Sequence, residues 1–114
     1  MSENQIELNN DRKNHLGRFV ELLPDLAKGL MAVAGEAYKD GTIDGKTKRL
    51  MAMAVALGLG CKYCIIGQAE EALDLGATKE EILETIAVVA SVRGTSGIAE
   101  SYRVIQFLDE LGKL

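Results

Sequence analysis

Apolar residues recur at helical spacing along the whole chain, and no window alternates apolar and polar positions as a half-buried strand would. The pattern predicts an all-α fold of about six helices. Leu16, Phe19, Val20 and Leu23 mark the inner stripe of a first helix that must stop or bend at Pro24, the single proline. Pro24 suits the first turn of a second helix, which runs through "LAKGLMAVAGEAY" to the polar stretch Lys39 to Gly41. Asp44 is the expected N-cap of a third helix reaching about Leu57, apolar on nearly every side after Arg49 and therefore central or part of a subunit interface. Gly58 and Gly60 end it. A fourth helix follows from about Lys62 to Leu75, closed by Gly76. Thr78 and Glu81 form a capping box for a fifth, whose stripe holds Ile82, Ile86, Val89 and Val92. "RGTSG", Arg93 to Gly97, is read chiefly as a helix break, though such a turn could also bind an anion. The sixth helix, from about Ile98 to Leu111, is expected to turn Tyr102, Ile105 and Leu108 or Leu111 inward. Glu100, Arg103, Gln106, Asp109 and Glu110 would then face solvent. Met31, Met51 and Met53 lie at core spacing.

Length and composition sharpen this picture. At 114 residues the chain is one domain, residues 1–114, with no repeat and no low-complexity linker. Apolar residues are 47% but aromatics only 4%, so the core is built from Ala, Leu, Gly and Met on closely approaching helices. That core is thin for a lone subunit, and a homo-oligomer is expected to bury more surface. The net charge of −4, with scattered basic residues, excludes the footprint of a nucleic-acid binder and disfavours an anionic membrane surface. The polar start "MSENQIELNNDRKN" does not read as a secretory signal, and the longest apolar run, Leu50 to Gly60, is about half the ~20 residues of a membrane span. A cytoplasmic protein is expected, without nucleic-acid or membrane partners.

Both cysteines fall in "LGLGCKYCIIGQ", Leu57 to Gln68, at the start of the fourth helix. In a reducing compartment such a pair is catalytic, redox-active or metal-binding more often than a permanent staple. Structural zinc needs four ligands, and the chain offers Cys61, Cys64 and the distant His15, so a zinc site would have to be shared between two subunits. Packing of two inert thiols is another reading. The redox reading rests on position. A helix N-terminus favours thiolate over thiol, Lys62 adds a cation, and the i, i+3 spacing puts both sulfurs on one face. The pair is suited to cycling between dithiol and disulfide, and no cofactor is called for. Tyr63, between the cysteines, could pack or donate a proton.

The segment from "GTIDGKTKRLMAMAVALGLG" through "CKYCIIGQ" and "AEEALDLGATKEEILE" resembles the core of the carboxymuconolactone decarboxylase superfamily, specifically its alkylhydroperoxidase D-like branch. The resemblance covers about residues 41–101 and extends over the preceding helix. It implies an all-helical subunit that assembles as a trimer or hexamer, the hexamer favoured, with thiol-dependent peroxidase or disulfide reductase activity. A thiol or dithiol reductant, or a partner disulfide, would be its counterpart. It also implies that Cys64 is the sulfur that attacks peroxide and Cys61 its resolving partner, whereas the helix dipole alone favours Cys61.

The motif of that branch places a Glu twelve residues before the first cysteine and a His four after the second. Those positions hold Arg49 and Gln68. Neither is a general base near neutral pH, since the guanidinium stays protonated and the amide does not titrate. Arg49 near the pair would favour a thiolate electrostatically, and Gln68, one turn after Cys64, could hydrogen-bond a sulfur. Such a site suits thiol–disulfide exchange with a partner. Glu70, Glu71 or the remote His15 could supply a base, though all three also read as solvated side chains. A decarboxylase-type lyase and a non-enzymatic redox-sensing oligomer are the alternatives to this function.

Overall fold

The computed structural model describes residues 3–114 and contains six helices in chain order: α1 (Gln5–Leu22), α2 (Pro24–Tyr38), α3 (Gly45–Leu59), α4 (Lys62–Asp74), α5 (Lys79–Arg93) and α6 (Thr95–Glu110). Most boundaries follow local chemistry. The Asp44 carboxylate accepts the Thr47 N–H at 2.8 Å at the start of α3, and Thr78 with Glu81 closes the expected capping box on α5. Gly60 ends α3 in the left-handed region, φ 74°, where a side chain would be strained. Pro24 occupies the first turn of α2, so that Leu23 is the elbow between α1 and α2. Gly58, expected to help end α3, lies inside it.

The core is made by α3, α4, α5 and α6 with the first half of α1. Met53, Leu57, Ile65, Ile66, Ile82, Val104 and Leu108 are fully buried at its centre. The first half of α1 is anchored by Leu8 and by the Glu110 carboxylate, which accepts the Gln5 and Ile6 N–H groups at 3.0 and 2.8 Å and so caps a helix a whole chain length away. Beyond its midpoint α1 leaves the core: Leu16 and Leu23, expected on the inner stripe, are exposed, and only Phe19 and Val20 are partly covered. Pro24 turns the chain back at the far end, so α2 packs on this outlying part of α1 and on α3 and buries Ala27 alone.

The inner face of α6 is also rotated from the expected one. Tyr102 is 64% exposed, while Gly97, Ser101, Val104 and Leu108 form the buried stripe together with Phe107. The cause is close approach. A Cβ on Gly97 would stand 2.8 Å from Arg93 Cβ and 3.2 Å from the Val89 carbonyl, so small residues rather than large ones define the contact with α5. Arg103, Gln106 and Glu110, expected in solvent, consequently face the chain start and bind Glu3 and Gln5. Val92, Met31 and Met51 are exposed rather than core, and Val92 is 82% so. Together with Leu30, Val33, Val55, Leu59 and Val88, they leave broad apolar faces on α2, α3 and α5. None of the helices among the described residues is long and apolar enough to cross a membrane.

Candidate redox site

The α3–α4 turn fixes the cysteine pair. The Gly60 and Cys61 N–H groups both return to the Ala56 carbonyl, at 2.9 and 3.1 Å, and Cys61 then serves as N-cap of α4, its carbonyl accepting from the Ile65 N–H. Ile65 and Ile66, both at zero exposure, lock the first turn of α4 into the core. Cys64, on that same turn, is thus held outward. The two residues are joined as a disulfide with a Cα–Cα separation of 5.2 Å. Cys64 is exposed and Cys61 half-buried, a difference in access that favours Cys64 as the sulfur met first from solvent.

The disulfide stands where two clefts meet. One, of about 290 Å³, is lined by Arg12, Arg49, Tyr63, Cys64, Gln68 and Glu71. The other, of about 370 Å³, is mostly apolar and includes Tyr38, Val55, Leu59, Cys61, Cys64 and Gln68. Arg49 reaches the pair's neighbourhood from α3. Its guanidinium carbon lies over the Tyr38 ring, 3.5 Å from the centroid, Nη1 donates to Gln68 Oε1 at 3.1 Å, and Nη2 is 3.8 Å from the Glu71 carboxylate. Gln68 in turn donates from Nε2 to Tyr38 Oη at 3.2 Å. Its amide is therefore occupied by Arg49 and Tyr38, and the expected bond to a sulfur is not formed.

The other candidate side chains divide by their partners. The Lys62 ammonium pairs with Glu3 at 2.5 Å instead of serving the thiols alone, and this bond, with one from Arg103, holds the Glu3 carboxyl below the usual carboxylate range. Tyr63 is 41% exposed at the mouth of the polar cleft. Glu70 binds Asn9, Lys13 and Arg12, which makes it a clasp between α4 and α1 and not a free base. Glu71 is half-exposed beside Arg49, and His15 is exposed on α1, away from both clefts. Among the described residues no group of three His, Cys, Asp or Glu side chains is placed to hold a metal ion. Two residues enter the site that no motif flagged, Tyr38 and Arg12. Tyr38 is 30 positions from its partner Gln68, and Arg12 reaches the cleft because Gly67 leaves room for its guanidinium. No spacing rule connects either to the cysteines.

A model of the carboxymuconolactone decarboxylase family matches residues 24–106, a span that runs from Pro24 through both clefts into α6. The chain belongs to this family. A relative from Paracoccus denitrificans, an uncharacterized protein of the cox locus, is 37% identical over 81 residues, 71% of this chain and 73% of its own. Among solved structures, a family member from Legionella pneumophila superposes with a TM-score of 0.90 at 31% identity, covering 98% of this chain and all of that one. A Thermotoga maritima family member, for which a part in the antioxidative response has been suggested, gives 0.80 at 28% identity over 91% of this chain and 89% of its own. Family membership accounts for the six-helix architecture and for the placement of the α3–α4 turn. The chemistry must still be read from the residues at that turn, because a fold hosts many reactions.

Proposed function

We propose that this family member is a thiol–disulfide oxidoreductase that reduces hydroperoxides through Cys64 and Cys61. The observation that carries the reading is the pair itself, bonded at the first turn of α4 with Cys64 exposed and Cys61 behind it. In the reduced protein the N-terminal end of α4 favours a thiolate. Cys64 Sγ attacks the terminal oxygen of the hydroperoxide. The S–O bond forms as O–O breaks, and the alkoxide leaves as an alcohol after taking one proton. The Cys61 thiol then attacks the sulfenic sulfur, closing the disulfide and releasing water. An external dithiol or two thiols reopen the pair, carrying away the two electrons' worth of oxidation as their own disulfide. The suggested antioxidative role of the Thermotoga relative supports the same direction.

We further propose that the working form is a homo-oligomer, because Leu30, Val33, Val55, Leu59, Val88 and Val92 are all more than half exposed on α2, α3 and α5, and that it is the trimer or hexamer the family resemblance implies. Sedimentation should give a mass above that of one chain.

The function is tested by alkylation and intact mass analysis of reduced protein with and without tert-butyl hydroperoxide. Both thiols should be lost together in the wild type. Cys61→Ser should trap a sulfenic acid on Cys64 that reacts with dimedone, and Cys64→Ser should not. Alkylation of both thiols at the rate of an ordinary cysteine, with no oxidised product, would overturn the reading. Turnover of a carboxymuconolactone by the Cys61→Ser/Cys64→Ser variant would replace it with the lyase.

A further inference from the structure

The positions expected to carry a Glu and a His for proton transfer carry Arg49 and Gln68, and both contact Tyr38, Arg49 over its ring and Gln68 at its hydroxyl. A guanidinium has five donors and no acceptor. Because Arg49 Nη1 donates to Gln68, the amide must turn its oxygen toward Arg49 and its nitrogen toward α2. Gln68 Nε2 then donates to Tyr38 Oη at 3.2 Å, so Tyr38 is the acceptor in that bond and its own hydrogen is free for another partner. Tyr38 lines the apolar cleft together with both cysteines. The chain of donors runs in one direction, from Arg49 through Gln68 to the hydroxyl of Tyr38, a residue that lines the cleft holding the disulfide.

From this we infer that Tyr38 is the catalytic acid of peroxide reduction, donating its hydroxyl proton to the oxygen that leaves when Cys64 attacks, with Arg49 and Gln68 as positioning residues. The inference rests on the peroxide reading above. The balance is simple. As Cys64 Sγ bonds to the terminal oxygen and the O–O bond breaks, the developing alkoxide takes the Tyr38 proton and departs as alcohol. The phenolate left behind recovers a proton from the solvent or from the Cys61 thiol. Cys61 Sγ then attacks the Cys64 sulfenic sulfur, the S–O bond breaks as the S–S bond forms, and the departing hydroxide leaves as water, with a proton from the solvent where Cys61 has already given up its own. The Arg49 guanidinium over the ring, 3.5 Å from its centroid, stabilises negative charge as it builds on the phenol oxygen. The two departures from the family motif thus form one device, in which a fixed donor chain stands in for a titrating pair.

The test is Tyr38→Phe in the full chain, which keeps the ring beneath Arg49 and removes only the hydroxyl. The rate constant for oxidation of the reduced protein is measured with tert-butyl hydroperoxide, whose alkoxide needs a proton to leave, and with 3-chloroperbenzoic acid, whose carboxylate does not. The first rate should fall about a hundredfold, in the range of lost general acid catalysis, and the second should change less than about threefold. Equal losses with both oxidants, or no loss with either, would overturn the role of Tyr38. A second measurement needs no variant: a normal solvent deuterium isotope effect in the wild type with tert-butyl hydroperoxide and none with the peracid supports the step, and the same effect with both refutes it. If the wild type reacts with neither oxidant faster than an ordinary cysteine does, the peroxide reading itself is what fails.

Discussion

Reduction of the Cys61–Cys64 bond should weaken the fold only slightly, and the size of the effect follows from the loop it closes. The bonded residues are three apart in sequence, so the closed loop has four residues. Chain entropy for so short a loop restricts the unfolded state by about 6 cal/mol/K, or about 2 kcal/mol at 25 °C. A chain of 114 residues unfolds with an entropy of about 0.24 kcal/mol/K near its midpoint, so opening the bond should lower Tm by no more than about 8 °C. The rest of α4 does not depend on the bond. Ile65, Ile66, Ala69 and Ala72 are all essentially without exposure, and truncating one large side chain of that set, as in Ile66→Ala, should cost about 2–5 kcal/mol, as much as or more than losing the disulfide. The assay is differential scanning calorimetry of oxidised protein, of protein reduced with dithiothreitol, and of Cys61→Ser/Cys64→Ser, all at one protein concentration so that any association is held constant. The reduced wild type and the double variant should melt cooperatively and close together. A fall of more than twice the stated size, or loss of the cooperative transition on reduction, would make the pair a structural staple and remove the basis for a redox cycle.

Three other outcomes follow from particular contacts. Glu110→Ala leaves the Gln5 and Ile6 N–H groups without their acceptor and should cost about 2 kcal/mol, read as a lower urea midpoint with unchanged slope. Burial acts to raise the Glu110 pKa, but the bonds from the Gln5 and Ile6 backbone and from the Gln106 side chain outweigh it and hold the pKa below the ordinary carboxylate value, so its contribution is present at neutral pH and is lost as pH falls below about 4. The difference in stability between wild type and Glu110→Ala should therefore shrink on acidification, and a constant difference down to pH 3 would contradict the assignment. Gly97→Ala should destabilise by about 1–3 kcal/mol despite alanine's better helix propensity, because its Cβ meets Arg93 Cβ at 2.8 Å; a rise in Tm would show that α5 and α6 can separate freely. Thr78→Ala removes one half of the α5 capping box and should cost about 1 kcal/mol in the same denaturation assay, with no effect on thiol reactivity.

Legibility of the fold in the sequence divides along the range of the interactions that decide each feature. Helix starts and stops were readable because their chemistry is local: the Asp44 and Thr78 caps, Pro24 at the head of α2, and the glycine that ends α3 each act within one turn. The inward face of α6 was not, because periodicity weights large apolar residues, whereas Gly97 and Ser101 are buried for their smallness against α5. The second half of α1 misled in the opposite way. Its stripe is apolar but faces away from the core of its own subunit. At the candidate site the cysteine spacing and the departures at Arg49 and Gln68 could be read from the chain. Their shared contact with Tyr38 could not, since three helices bring it together over separations of 19 and 30 residues.

The exposed position of α2 has a consequence for how this protein would be handled and controlled. That helix carries Tyr38 at its last position but buries only Ala27 within the subunit, so little free energy holds it in place when it is alone. Its opening and closing would be governed by whatever covers its outer side. If that cover is another copy of the chain, specific activity becomes a function of protein concentration: dilution below the dissociation constant should release α2, carry the hydroxyl away from the cysteines, and leave a dithiol that still alkylates but turns over slowly. Assembly would then act as the on-switch, with no effector molecule required.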